Sequence, residues 1–123
     1  MVVDTSVLLA IFFGEPQGAW AAARLQENAG QLRMSTVNLT ETFIRLRDRQ
    51  PQQADELAKH VLESGIRFVP PDVAQAETAA RARLRYPINL GDCFAYALAV
   101  AEGCPILTLD QGFRVVDRPL VLP

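Results

Sequence analysis

Short apolar segments alternate with longer helical stretches along this chain, and that alternation restricts the possible fold more than any other feature. The apolar segments occupy residues 1–3, 32–34, 66–69 and 105–109, and most are bounded by turn-forming or helix-capping residues. Their length favours β-strands over helices. Strands that alternate with helices favour a largely parallel sheet covered on both faces. We therefore expect an α/β fold with a central, mostly parallel sheet of four to five short strands flanked by helices.

Helices are predicted in the stretches between these strands. They are expected at residues 5–12, 17–28, 36–49, 52–63, 73–85 and 90–102. Ser35, Asp72 and Asn89 each precede one of these stretches, and serine, aspartate and asparagine are favoured helix N-caps. An additional edge strand is expected at residues 115–116 or at residues 120–121.

The composition indicates one ordinary globular domain, residues 1–123. Half of the residues are hydrophobic and 21% are charged, which excludes a disordered chain. The longest apolar run, residues 7–13, is too short to span a bilayer and follows Asp4 rather than a basic segment. We therefore expect a cytoplasmic protein with no membrane association. Cys93 and Cys104 form no CxxC motif, so we expect two buried thiols rather than a soft-metal site.

The charge balance alone does not indicate a nucleic-acid partner, because the net charge is −2. The basic residues are nevertheless eleven arginines and a single lysine. The guanidinium group offers a planar fork that matches phosphate, so a local phosphate-binding patch remains possible on an acidic protein. Two groups of three stand out by their spacing: Arg45, Arg47, Arg49 and Arg81, Arg83, Arg85. Residues two apart do not share a helical face, so we expect most of these to be solvated and at least one near the site to hold phosphate.

Four acidic residues stand where such a fold could bring them together. Asp4 and Asp110 each end a predicted strand, and Glu41 and Asp92 lie in the first turns of predicted helices. In open α/β sheets, sites form at the carboxyl ends of the strands. Sequence pattern alone does not show that the four converge.

Each of these acids also has a purely structural interpretation. Asp4 could be a helix N-cap, and Glu41 could pair with Arg45 four residues later on the helix surface. Asp92 would suit the positive end of a helix dipole, and Asp110 could be a turn residue. Their combination favours a metal-binding or catalytic role, because two carboxylates about 5 Å apart repel by roughly 3 kcal/mol at an effective dielectric near 20. A cluster of such groups requires protons or a cation, and oxygen-only ligand sets suit magnesium or manganese.

Histidine chemistry is not supported by the sequence. His60 is the only histidine, and it lies in the middle of a predicted helix, so we expect it to be structural or exposed. A Ser-His-Asp triad is therefore excluded, as is a pair of histidines acting as general acid and base on RNA.

Four segments, in order along the chain, resemble the PIN-domain signature, particularly that of VapC-like toxin ribonucleases from type II toxin–antitoxin pairs. They are VVDTSVLLA, STVNLTE, LGDCFAYALA and PILTLD, with a GEP turn at residues 14–16. The resemblance implies one PIN-like domain in which Asp4, Glu41, Asp92 and Asp110 are the catalytic, metal-binding acids. It implies a Mg²⁺-dependent endoribonuclease, with Mn²⁺ as a possible substitute, that hydrolyses RNA through metal-activated water. A cognate antitoxin and a homodimer are also implied.

Two questions stay open at this level. The hydroxyls of Thr5, Ser6 and Thr108 stand beside the acids and could orient carboxylates or metal-bound water, or could simply cap turns. The alternative function is a catalytically inactive PIN-fold module that binds RNA or protein. A similarity of the first segment to haloacid-dehalogenase-type phosphatases fails, because Ser6 stands where those enzymes have their second aspartate.

Overall fold

A single parallel sheet organises the molecule. The computed structural model describes all residues from Met1 to Pro123. Its five strands are β1 (Val2–Val3), β2 (Arg33–Ser35), β3 (Arg67–Val69), β4 (Ile106–Leu107) and β5 (Leu120–Val121). They lie in the order β3-β2-β1-β4-β5, and every neighbouring pair is parallel. The expected α/β fold with a short-stranded parallel sheet is confirmed.

Six α-helices connect the strands, as the sequence predicted. They are α1 (Thr5–Phe12), α2 (Gly18–Glu27), α3 (Thr36–Arg49), α4 (Ala54–Leu62), α5 (Val73–Arg85) and α6 (Leu90–Glu102). The predicted N-caps are confirmed, because Ser35 accepts a hydrogen bond from the backbone of Val37 and Asp72 accepts one from that of Gln75. Asn89 caps α6 in the same way. None of the helices combines the length and the apolar character that crossing a bilayer requires.

The core lies on both faces of the sheet, since neighbouring residues of a strand point to opposite sides. Val2 and Ile106 pack in a cluster with α5 and α6, whereas Val3 and Leu107 pack in a second cluster with α1 and α2. All four side chains are fully buried. Burial of each such side chain contributes about 1.5–3 kcal/mol, so these very short strands are held mainly by packing.

The chain departs from the sequence-based prediction after β4. β4 covers only two residues, because the chain turns after Thr108. The backbone N–H of Asp110 donates a hydrogen bond to the Thr108 hydroxyl at 2.9 Å. A short 3-10 helix follows at Gln111–Val115, held by the fully buried Phe113. The edge strand is therefore the one at residues 120–121, and the alternative at residues 115–116 was wrong.

The cysteines form no disulfide, as expected, although only one of them is fully buried. Cys93 lies on α6 and is buried in the protein core, whereas Cys104 is partly exposed in the turn that follows this helix.

The sheet reverses its direction of growth between β1 and β4. From β1 the chain adds β2 and β3 on one side, and then returns to place β4 and β5 on the other. A crevice forms at the carboxyl ends of the strands at such a point. Asp4 follows β1 and Thr108 follows β4, so both lie beside this crevice.

Candidate active site

One acidic cavity of about 390 Å³ occupies the crevice. The five carboxylate side chains that line it are Asp4, Glu15, Glu41, Asp92 and Asp110. Arg45 is the only cationic side chain in its wall, and only two of the twelve lining residues are hydrophobic. The structure thus brings together all four acids that the sequence singled out, and it adds a fifth.

Asp4 is held by two hydroxyl groups rather than acting as a side-chain cap. It occupies the N-cap position of α1, yet its carboxylate makes no capping hydrogen bond. Instead, the hydroxyls of Ser6 and Thr108 both donate to its Oδ2, at 2.7 and 2.9 Å. No side-chain donor reaches Oδ1, so this oxygen remains available to the cavity. Asp4 therefore occupies the N-cap position, as its structural interpretation expected, but its carboxylate is oriented by Ser6 and Thr108.

The same hydroxyls connect β1 to the residues after β4. Ser6 Oγ accepts from the backbone N–H of Leu109 at 3.0 Å, and Thr108 Oγ1 accepts from that of Asp110 at 2.9 Å. Thr108 is fully buried, so it cannot exchange these partners for water without local opening. The hydroxyls of Ser6 and Thr108 therefore orient a carboxylate and also support the turn after β4.

Glu41 is turned away from its helix neighbour Arg45 and towards α1. Its Oε1 accepts hydrogen bonds from Thr5 Oγ1 at 3.2 Å and from Asn38 Nδ2 at 2.9 Å. No ion pair forms between Glu41 and Arg45, although they stand four residues apart on α3. The structural interpretation of Glu41 as half of a helix-surface pair is therefore wrong.

Asn38 and Gly91 fix the position of the Glu41 carboxylate against α6. Asn38 is fully buried and donates both to Glu41 and to the backbone oxygen of Gly91, the latter at 3.0 Å. A Cβ atom on Gly91 would stand 2.3 Å from both carboxylate oxygens of Glu41. A side chain at position 91 and the observed carboxylate therefore cannot coexist. Sequence reasoning missed both residues, although Asn38 stands three positions before Glu41 on the same helical face.

Asp92 and Asp110 serve local structure while facing the cavity. Asp92 forms a reciprocal capping box with Asn89, in which its Oδ2 accepts from the Asn89 backbone at 3.2 Å. Asp110 caps the 3-10 helix by accepting from the backbone of Gly112 at 2.8 Å. Their structural interpretations were thus correct, and the same side chains also line the acidic cavity. In neither case does another donor reach the second carboxylate oxygen.

The electrostatics of the cavity show that these carboxylates act on one another. Burial, and then the charge of Asp4, raise the pKa of Asp92 to about 7, with smaller contributions from Asp110 and Glu41. The Asn89 backbone N–H opposes this rise. Burial is also the main reason that the pKa of Asp4 is raised, and the hydrogen bonds from Ser6 and Thr108 partly offset it. Full ionisation of these carboxylates is therefore unfavourable unless a proton or a cation offsets their charge.

The donor atoms fit a hard divalent cation in their chemistry. They are all oxygens, and five carboxylates face a single arginine. However, no group of three or more histidine, cysteine, aspartate or glutamate side chains is already positioned to hold one ion. Mutual repulsion keeps carboxylates apart when no cation lies between them. An ion would therefore have to draw these side chains together from positions that surround the cavity.

Comparison with known proteins identifies the family. The PIN domain family model matches residues 1–119. "Ribonuclease VapC" from Mycolicibacterium smegmatis is 34% identical over 125 residues, which cover 95% of this chain and 96% of that protein. The chain therefore belongs to the PIN-domain family, and its relatives within that family are VapC ribonucleases.

Solved structures show the same fold. The crystal structure of Mycobacterium tuberculosis VapC20, described as a sarcin-ricin loop cleaving toxin, superposes with a TM-score of 0.85 at 20% identity. The superposition covers 99% of this chain and 98% of VapC20. A toxin–antitoxin complex from Klebsiella pneumoniae contains a chain that superposes with a TM-score of 0.78 at 19% identity, covering 98% and 94% of the two chains.

Proposed function

We propose that this protein is a magnesium-dependent endoribonuclease that acts as the toxin of a toxin–antitoxin pair. The observation that carries the proposal is the convergence of Asp4, Glu41, Asp92 and Asp110 on one cavity at the carboxyl edge of the sheet. Its relatives of about one-third identity are named ribonucleases, which supports the substrate class.

The four acids would hold one or two Mg²⁺ ions, or Mn²⁺ in their place. A bound ion would supply a Lewis acid that activates water and stabilises the leaving oxygen of a phosphodiester. The chain's own residues prepare the ligands: Ser6 and Thr108 orient Asp4, and Thr5 orients Glu41. Hydrogen-bonded supports of this kind commonly contribute 10- to 100-fold in metal affinity or activity.

General acid–base catalysis by histidine has no candidate at this cavity. His60 lies on α4, 62% exposed, with its Nε2 atom 3.9 Å from Glu56 Oε1. Of the two expected roles, structural or exposed, the structure shows the exposed one. A ribonuclease that uses the RNA 2′-hydroxyl as nucleophile commonly relies on such histidines. This chain therefore favours water as the attacking group.

The proposed partners follow from the relatives. VapC20 is described as a sarcin-ricin loop cleaving toxin, and the Klebsiella chain is part of a toxin–antitoxin complex. We accordingly propose RNA as the substrate and a cognate antitoxin as the inhibitor. A homodimer and action in the cytoplasm are proposed as well, from the family resemblance and the composition of the chain. A basic antitoxin side chain in the acidic cavity would offset the same repulsion that a metal ion offsets, so inhibitor and metal should compete.

The test is cleavage of total RNA by the purified protein, with the product ends mapped. We expect cleavage with magnesium or manganese, none with EDTA, and recovery when the ion is restored. The products should carry 5′-phosphate and 3′-hydroxyl ends, because water attacks. Cyclic 2′,3′-phosphate ends or full activity in EDTA would refute the mechanism. RNA binding without cleavage under all these conditions would favour the alternative, a catalytically inactive PIN-fold module.

A further inference from the structure

The three arginines of α3 differ in their contacts, although the sequence alone gave no reason to distinguish them. Arg47 forms an ion pair with Asp55, and the Arg49 guanidinium lies 4.1 Å from the centroid of the Phe13 ring. Arg45 makes neither kind of contact. It is exposed, and it is the only arginine in the wall of the acidic cavity.

Arg45 lacks an anionic partner because its nearest candidate is engaged elsewhere. Glu41 stands one helical turn before it, at a spacing that commonly gives a Glu–Arg pair. The Glu41 carboxylate, however, is held by Thr5 and Asn38 and lies against Gly91 of α6. The guanidinium is therefore left with its donors free at the edge of a cavity that contains five carboxylates.

A second, smaller cavity continues the acidic one past this arginine. It measures about 270 Å³ and is lined by Thr5, Glu41, Ile44 and Arg45. Three of these residues also line the main cavity, so the two spaces adjoin. Ile44 is 54% exposed and gives the smaller cavity an apolar wall beside the cation.

We propose that Arg45 binds the RNA phosphate next to the scissile one, and that the smaller cavity receives the attached nucleotide. This inference rests on the proposed ribonuclease function. An RNA strand approaching five carboxylates is repelled, and a cation at the edge of the cavity offsets this repulsion where the strand enters. Arginine is suited to the task, because its planar fork can donate two hydrogen bonds to one phosphate.

A phosphate contact has a signature that a structural role lacks. Binding to single-stranded nucleic acid weakens with salt, with a slope of about −0.7 in log–log form for each phosphate neutralised. Loss of Arg45 should therefore make the slope less negative by about 0.7. It should also raise KM more than it lowers kcat, because the contact is made before the chemical step and is retained through it.

The experiment uses a fluorescently labelled single-stranded RNA that the wild-type protein cleaves. Its binding is measured by anisotropy, over a range of salt, in the non-cleaving Asp4→Asn background with and without Arg45→Gln. Arg47→Gln and Arg49→Gln are the matched controls, since they remove arginines from the same helix without touching the cavity. Arg45→Lys is included because it keeps the charge but not the fork.

We expect Arg45→Gln to weaken binding about tenfold and to reduce the salt slope, as substitution of a phosphate-binding cation does. Arg45→Lys should recover most of the slope, and the two controls should match their parent. Unchanged affinity and slope in Arg45→Gln would overturn this inference alone, provided that the wild type cleaves the RNA. Equal losses in all three glutamine variants would also overturn it, because they would indicate a general charge effect. Failure of the wild type to bind or cleave any RNA would overturn both proposals.

Discussion

Replacing Asp4 with asparagine should abolish cleavage and at the same time make the protein more stable. The substitution keeps the size of the side chain, and the asparagine oxygen can still accept the hydrogen bonds of Ser6 and Thr108. It removes one of the five acidic groups around the cavity and one oxygen that could bind metal. A residue retained for function at a cost in stability should respond in this way.

The expected gain in the free energy of unfolding can be estimated from the repulsion between the carboxylates. Two carboxylates about 5 Å apart repel by roughly 3 kcal/mol at an effective dielectric near 20. Allowing for solvent in the cavity, we expect a gain of about 1–3 kcal/mol, or roughly 4 °C in Tm per kcal/mol for a domain of this size. Burial raises the pKa of Asp4, so wild-type stability falls as the pH rises through that raised value. The advantage of Asp4→Asn should therefore grow as the pH rises through that raised value and vanish in acid.

Thermal unfolding in EDTA measures the gain in stability, and thermal unfolding with magnesium measures the loss of metal binding. Magnesium at ten times its Kd should stabilise the wild type by about 1.4 kcal/mol and leave Asp4→Asn unchanged. Cleavage by the variant should fall by at least about 100-fold, since even the outer supports of metal ligands contribute 10- to 100-fold. The control is Asp72→Asn, which exchanges one good N-cap for another on α5. It should change neither the thermal stability nor the cleavage rate. A less stable Asp4→Asn protein with normal cleavage and a normal magnesium response would refute the reasoning.

Three other predictions follow from the same structure. Gly91→Ala should lower cleavage at least about tenfold while the circular dichroism spectrum stays unchanged, because the new Cβ displaces the Glu41 carboxylate; an alanine variant with full activity would contradict the proposed clamp. Tyr96→Phe should lower the free energy of unfolding in urea at neutral pH but much less in acid. The reason is that the Tyr96 hydroxyl lowers the pKa of Asp117, so the stability it provides is lost as the pH falls through that lowered value; an equal loss at both pH values would count against it. Expression of the wild type alone should inhibit bacterial growth, and co-expression of the neighbouring gene should restore it; toxicity that persists in folded Asp4→Asn would rule out the nuclease explanation.

The order of strands and helices could be predicted because local signals agree with the tertiary structure. Ser35, Asp72 and Asn89 cap the helices that follow them, as their side chains favour. The edge strand was ambiguous because both candidate segments are apolar pairs. Only the packing of Phe113 in the core decides that residues 111–115 form a 3-10 helix and that the later pair completes the sheet.

The positions of the acids were predictable, whereas their supports were not. Asp4 follows β1 and Asp110 comes shortly after β4, and parallel strands place such residues at one edge. The contact between Asn38 and Gly91 spans 53 positions of the chain and joins two helices. Local sequence periodicity does not encode a contact of that range. The orientation of Glu41 depends on this contact, and so does the absence of an anionic partner for Arg45.

Crystals of the protein grown with manganese would test the central claim most directly, because manganese scatters X-rays anomalously and can be located without a model. We predict anomalous density inside the acidic cavity, with carboxylate oxygens of Asp4, Glu41 and Asp92 drawn towards it. Asp110 should approach the same density, directly or through water. Density elsewhere on the surface, or an empty cavity at saturating manganese, would contradict the account.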